Sequence, residues 1–219
     1  MRLALFPDEV VFVCAEAHLD AEPLHPAEAA QAARMGAARR SEFALGRACA
    51  RRALARLGVA AEPLLRGADR APRWPEGVVG SLTHTEGFCA VAVARRGALL
   101  ALGLDAESER ISARAAQRVL SESERAHLAT LGPAPECGFE TLAFSAKESV
   151  FKALFPLSGI RLAFRDAELE LVPATRSFRV ALRPERAAAL PAGARLEGRY
   201  LVARPHVVTS VVVWSPGPR

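Results

Sequence analysis

Residues 78–107 read VVGSLTHTEGFCAVAVARRGALLALGLDAE. Three short runs stand out in this stretch: Val78–Thr83, Cys89–Ala94 and Ala98–Leu104. Each is apolar or β-branched and is bounded by glycine or charged residues, the pattern of strands separated by turns. Arg95–Gly97 has the length of a hairpin turn between the second and third runs. Strands joined this tightly run antiparallel, because a parallel pair needs a crossover of about a dozen residues or more. Upstream, the pattern is helical from Pro26 to Leu57, with a candidate break at Gly36 and Gly58 as the C-cap. Phe43, Ala50, Leu54 and Leu57 share one face of this helix, and Arg40, Arg47 and Arg51 share another. Glu62–Gly77, with its prolines and glycines, is a loop. Downstream, Ile111–Leu131 and Glu136–Phe155 are helical, and Ser121 and Glu124 have the spacing of a capping box. ELELV, SFRVAL, RLEGRYLV and VVTSVVVW then alternate as strands between Arg161 and Trp214. Helices followed by strands, twice over, predict an α+β fold rather than a doubly wound parallel sheet.

The chain has 219 residues, 51% hydrophobic and 24% charged. That suits one large domain or two small ones with a core that needs no disulfide or metal staple. Intrinsic disorder is excluded by the apolar content, and a membrane span by the absence of about 20 apolar residues without a charge. Pro7, Asp8 and Glu9 cut the N-terminal apolar run short of a signal peptide. Cys14, Cys49, Cys89 and Cys137 form no CxxC pair, which predicts reduced thiols in a cytoplasmic protein. Neither GxGxxG nor a Walker A loop is present, so the common nucleotide folds lack support.

Charge is more informative. The formal net charge is +5, and of 29 basic residues only Lys147 and Lys152 are lysines. A chain that uses arginine almost everywhere keeps two lysines five positions apart, which suggests a site where a compact ammonium is needed and a planar guanidinium will not serve. The alternative is chance placement on a solvated helix. Between Arg34 and Arg73, ten arginines face only Glu42, Glu62 and Asp69. A basic surface of this size suits a phosphate-bearing partner: nucleic acid, a phosphorylated cofactor or an acidic protein.

Asp105-Ala106-Glu107 ends an apolar strand, so both carboxylates project to one face. Two carboxylates this close call for a cation, and hard oxygen donors favour magnesium. The same tripeptide recurs at Asp20–Glu22 in a Pro-rich loop and at Asp166–Glu168 on the solvent face of a strand, where it is expected to be inert. In the helix Ser145–Lys152, Glu148 and Lys152 sit at i, i+4. By default that is a surface ion pair contributing about 0.2–0.5 kcal/mol. The functional reading makes Glu148 the third carboxylate of a magnesium site, with Lys147 and Lys152 on phosphate oxygens beside it. His84, among hydroxyls in Gly80–Thr85, is a further candidate phosphate ligand.

Four segments in this order, RRSEFALGRACARRAL (39–54), APRWPEGVVGSLTHTEG (71–87), LGLDAE (102–107) and FSAKESVFKALFPL (144–157), resemble the motifs of the 4′-phosphopantetheinyl transferases. The likeness is to the enterobactin-synthase and mycobacterial branch of the surfactin-type group, and it covers nearly the whole chain from about Arg34. Phe144 departs from the tryptophan that many members carry there. The resemblance implies a pseudo-twofold α+β monomer of two similar halves, residues 1–102 and 103–219, with coenzyme A bound in the cleft between them. It implies Asp105, Glu107 and Glu148 as magnesium ligands. Arg39, Arg47, Arg66, Thr83, His84, Lys147 and Lys152 match positions that grip the coenzyme's phosphates and adenosine end. Arg70 is a further candidate, and Glu124 matches an acidic family position as well as the capping box.

The implied reaction moves 4′-phosphopantetheine to a serine of an apo acyl or peptidyl carrier protein, in secondary metabolism. Glu148 serves as base and Lys152 stabilises the transition state. The implied partners are this carrier and coenzyme A, with no nucleic acid and no membrane. Two rival readings share part of these features. An arginine-rich nucleic-acid-binding module on the Arg39–Arg56 helix accounts for the charge but not the carboxylates. A magnesium-dependent hydrolase of coenzyme A or a nucleotide would use the same residues with water as acceptor.

Overall fold

The computed structural model describes residues 5–16, 23–60 and 62–217. It divides into two compact units, Asp8–Arg96 and Gly97–Arg219 with Met1–Pro7. Each is an antiparallel sheet carrying a 20-residue helix, the α+β architecture that the helix-then-strand order predicts.

The first unit contains β1 (Val11–Glu16), α1 (Pro26–Ala32), α2 (Ala37–Arg56), β2 (Val78–Thr85) and β3 (Phe88–Arg95), with sheet order β1-β3-β2. Gly36 is the N-cap of α2, which makes it the break between the two helices. Gly58 follows the helix end at φ +70°, as a C-cap requires. β2 and β3 close through Glu86–Gly87, where Gly87 supplies the positive φ of a two-residue turn. Cys49, Ala50, Ala53 and Leu54 of α2 pack on Val78, Val91 and Val93 of the sheet, with Leu64 of the loop.

One expectation is corrected here. Arg95–Gly97 is not a hairpin turn. β3 is the central strand, hydrogen-bonded on one edge to β1 and on the other to β2, so no edge remains for the strand that follows. Arg95–Gly97 instead leads the chain out of the first unit into the second. Arg40, Arg47 and Arg51 lie at i, i+7, i+11 on α2 and differ in burial: Arg40 is exposed, Arg51 half-buried and Arg47 buried.

The second unit contains β4 (Leu99–Glu107), α3 (Ala113–Val119), α4 (Glu122–Thr130), α5 (Phe139–Ser158), β5 (Ala167–Val172), β6 (Ser177–Leu182), β7 (Arg195–Ala203) and β8 (His206–Trp214). Its sheet order is β4-β8-β7-β6-β5. The helical stretch 111–131 splits at Leu120, because Ser121 caps α4: its Oγ accepts from Glu124 N, and its own N–H donates to the Glu124 carboxylate. α5 lies on β4 and β8, burying Leu142, Ala146, Val150, Ala153 and Leu154 in the unit's core. Gly103 allows this approach, since a Cβ there would sit 1.9 Å from the Ser149 carbonyl oxygen. Among the described residues no helix is long and apolar enough to cross a membrane. The four cysteines are free thiols.

Candidate active site

The end of β4 and the middle of α5 bring together the acidic residues singled out above. Asp105 is buried, 4% exposed. Its Oδ1 accepts from Lys152 Nζ at 2.6 Å, and its Oδ2 accepts from Ser145 Oγ at 2.8 Å. Lys152 also donates to the Leu104 carbonyl at 3.2 Å. It therefore reaches across to the strand and is not merely half of a helix-surface pair with Glu148. Burial, then the Asp105 charge, push the Glu107 carboxyl up to about 7, with Glu148 and Glu109 adding to the rise and Lys152 opposing it. Glu148 is raised for the same reasons, burial first and Asp105 second. These shifts record burial first and the nearness of the other carboxylates second, with Lys152 opposing them.

No three His, Cys, Asp or Glu side chains among the described residues converge closely enough, as they stand, to hold a metal ion. The chemistry of the donor set nonetheless fits a hard divalent cation. The donors are carboxylate oxygens, and the cationic group already seated against Asp105 is an ammonium.

Lys147 points elsewhere. Its side chain is 2% exposed, and its three protons go to Glu124 Oε2 at 2.8 Å, Val119 O at 3.0 Å and Phe164 O at 2.7 Å. As the side chain stands, no proton is left for a phosphate, so the structure separates Lys147 from Lys152. Glu124 fulfils the capping-box reading. It caps α4 through Ser121 N at 2.7 Å, pairs with Lys147, and accepts from Leu169 N at 2.8 Å. Of the other DAE copies, Asp20–Glu22 lies outside the described residues. Asp166, in the turn before β5, has local structural partners: it accepts from Ala163 N and Arg186 Nε, bonds that hold its carboxyl below the usual range.

The first unit gathers the basic residues. Arg39 Nη1 lies 2.7 Å from His84 Nε2 and 2.8 Å from Glu42 Oε2. Guanidinium only donates, so Nε2 accepts, and the imidazole proton belongs on Nδ1, which is 3.8 Å from Glu42. Arg66 is held below the usual arginine value by burial and then by the like charges of Arg39 and Arg70. Arg47 stacks on the Phe43 ring at 4.1 Å, with Arg66 5.1 Å from the same ring. Burial lowers Arg47 to about 10, and its Nε and Nη2 are buried without a hydrogen-bond partner. Buried N–H groups of a cation that lack acceptors among the described residues, beside crowded guanidiniums, can donate to an anion. Thr83 is buried on β2 beside His84.

Sequence reasoning missed Glu28. It is fully buried and accepts from Leu64 N, His25 N and Arg51. Gln31, one turn on, brackets the Arg66 backbone from both sides. Together they set the loop that presents Arg66. The readable signal was the capping-box spacing of His25 and Glu28 around Pro26.

Taken separately, the acid cluster with its lysine in the second unit and the crowded guanidiniums of the first are each groups that can handle phosphates or the cations that accompany them. Comparison with known proteins makes the class specific. Residues 27–94 match the family described as 4′-phosphopantetheinyl transferase N-terminal domain, and residues 101–203 match the 4′-phosphopantetheinyl transferase superfamily. The chain is 44% identical over 198 residues to the 4′-phosphopantetheinyl transferase Svp of Streptomyces mobaraensis, covering 88% of this chain and 80% of that one. It is 36% identical over 195 residues to PptT of Mycobacterium tuberculosis, covering 86% and 85%. It is 37% identical over 127 residues to enterobactin synthase component D of Escherichia coli K12, covering 57% and 59%. The chain belongs to the 4′-phosphopantetheinyl transferase superfamily and is an enzyme of that class.

Proposed function

We propose that this enzyme transfers 4′-phosphopantetheine from coenzyme A to a serine hydroxyl of an apo acyl or peptidyl carrier protein, with magnesium, releasing 3′,5′-ADP. The observation that supports the magnesium-dependent reading is the gathering of Asp105, Glu107 and Glu148 at the end of β4 and on α5, close enough that Asp105 raises both of the others. Asp105, Glu107 and Glu148 would hold the cation, which when bound supplies charge neutralisation at the pyrophosphate. Glu148 accepts the serine proton as the serine oxygen attacks the β-phosphorus and the bond to 3′,5′-ADP breaks. Lys152, fixed by Leu104 O and Asp105 Oδ1, directs its charge at the transferring phosphoryl oxygens.

Arg39, Arg47, Arg66, Thr83 and His84 grip the coenzyme's phosphates and adenosine end. The two unpartnered Arg47 nitrogens support this assignment, and the crowding of Arg66 by Arg70 adds Arg70 to the set. Lys147 fixes from inside the turn of α5 that carries Glu148.

The test is intact-mass spectrometry of an apo carrier protein incubated with the enzyme, coenzyme A and magnesium. Gain of one phosphopantetheine, abolished by chelator, is expected. Consumption of coenzyme A with an unmodified carrier would select a hydrolase instead.

A further inference from the structure

On the Oδ2 side of Asp105, three buried hydroxyls form a chain. Ser145 Oγ lies 2.8 Å from Asp105 Oδ2, Thr209 Oγ1 lies 2.9 Å from Ser145 Oγ, and Ser149 Oγ lies 2.6 Å from Thr209 Oγ1. Ser145, Ser149 and Thr209 are each fully buried. A carboxylate only accepts and a hydroxyl has one proton, so the directions are forced. Ser145 donates to Asp105. Its contact with Thr209 must then be one in which Thr209 donates, and Ser149 shares its one proton between Thr209 Oγ1 and the Thr209 carbonyl. The donors run from Thr209 through Ser145 to the Asp105 carboxylate, each bond polarising the next. The Thr209 carbonyl, 3.0 Å from Ser149 Oγ, is a second acceptor for the proton at the far end.

Local packing explains why these groups meet. Gly103 lets α5 rest on the β4 backbone. Ser145 and Ser149, one turn apart on α5, thereby reach β8, where Thr209 is the ladder partner of Asp105. Around Thr209 and Ser210 the strand is otherwise valine: Val207, Val208, Val211, Val212 and Val213. Valine has the shape of threonine, and burying a hydroxyl in its place is unfavourable unless the hydroxyl is hydrogen-bonded. Every hydroxyl here is bonded, and the chain terminates on one carboxylate oxygen.

We infer that Ser145, Thr209 and Ser149 are positioning residues for Asp105. They fix Oδ2 and so hold Oδ1 toward the side where Lys152 stands and where the cation would bind. The inference rests on the proposed reading of Asp105 as a magnesium ligand. Groups that orient a metal ligand set its affinity as well as its geometry, so the effect is measurable without turnover.

The experiment titrates Mn²⁺ into the full chain alone, without coenzyme or carrier, and follows free Mn²⁺ by electron paramagnetic resonance. Thr209→Val keeps the shape and removes the hydroxyl, Thr209→Ser restores it, and Ser145→Ala cuts the chain at its last link. Circular dichroism melts report the fold. Thr209→Val and Ser145→Ala are expected to weaken Mn²⁺ binding about tenfold or more, at the lower end of the roughly 10–100-fold that such orienting partners contribute. Thr209→Ser is expected to restore it. Folded variants that bind Mn²⁺ as the wild type does overturn the inference and leave the transferase reading standing. A wild-type chain that binds no Mn²⁺ overturns the ligand assignment and the inference with it. If Thr209→Val does not fold, Ser145→Ala decides.

Discussion

Replacing Glu124 with glutamine keeps the size of the side chain and removes its charge, which leaves the Lys147 ammonium buried with only carbonyls for partners. Both side chains of the pair are 2% exposed and their atoms are 2.8 Å apart, so solvent does not screen the loss. Removing one partner of such a pair costs about 3–5 kcal/mol. Two more bonds are put at risk, since the same carboxylate accepts from Ser121 N and Leu169 N; the upper half of that range is therefore expected. For a chain of this size each kcal/mol is about 2–4 °C in Tm, which places the fall at roughly 8–20 °C. Lys147→Met should cost a comparable amount. The double variant Glu124→Gln, Lys147→Met should lose clearly less than the sum, because neither charge is then stranded.

The pH dependence has a definite sign. Burial lowers the Lys147 pKa from 10.5 while Glu124 opposes the shift, so removing the Glu124 charge deepens it. Above the lowered value the unfolded chain holds a proton that the folded chain has released. Stability of Glu124→Gln therefore rises with pH toward 10.5 more steeply than that of the wild type. Urea unfolding at several pH values measures all three variants. A Glu124→Gln loss under about 1 kcal/mol, the scale of a surface pair, or additive single losses, would refute the reasoning.

Asp105→Ala and Glu148→Gln should each abolish transfer at saturating magnesium while circular dichroism shows a folded chain; near-normal turnover in either removes the proposed metal site. Arg47→Met should raise the stability of the free chain by about 1–3 kcal/mol, the cost of one buried unpartnered donor, while calorimetry shows weaker coenzyme A binding. A loss of stability with unchanged binding contradicts the anion site. Glu107, raised from 4.5 to about 7, holds a proton in the folded chain that the unfolded chain releases between those values. Its contribution in chelator therefore favours folding below 4.5 and is lost as pH rises through about 7. The difference in Tm between wild type and Glu107→Gln, measured by scanning calorimetry at several pH values, should follow that window, and a flat difference rejects it.

Much of the architecture was legible because it depends on local pattern. Gly36 and Gly58 mark the ends of α2, Ser121 and Glu124 the start of α4, and the alternation of ELELV and SFRVAL the strands β5 and β6. The acid cluster was legible too, since a strand end places Asp105 and Glu107 on one face and a helix places Glu148 one turn from Lys152. What failed depended on distant partners. Arg95–Gly97 has the length of a hairpin, but turn length says nothing about whether β3 already has neighbours on both edges. Arg47 falls on an arc with Arg40 and Arg51, as the helical spacing says, and only the folded chain shows that Arg47 alone of the three is buried. Lys147 and Lys152 looked like one site, yet five residues of helix turn them toward different partners. The hydroxyl chain on Asp105 required Thr209, about a hundred residues away, to be its ladder partner.

The central claim is that these residues move one phosphopantetheine group from coenzyme A to a carrier serine. The most direct measurement counts 3′,5′-ADP released against holo-carrier formed in the same reaction, with a carrier whose acceptor serine is replaced by alanine as the control. The account predicts equal amounts of the two products with the intact carrier and neither product with the alanine carrier. Continued release of 3′,5′-ADP with the alanine carrier would contradict it, because water would then be the acceptor.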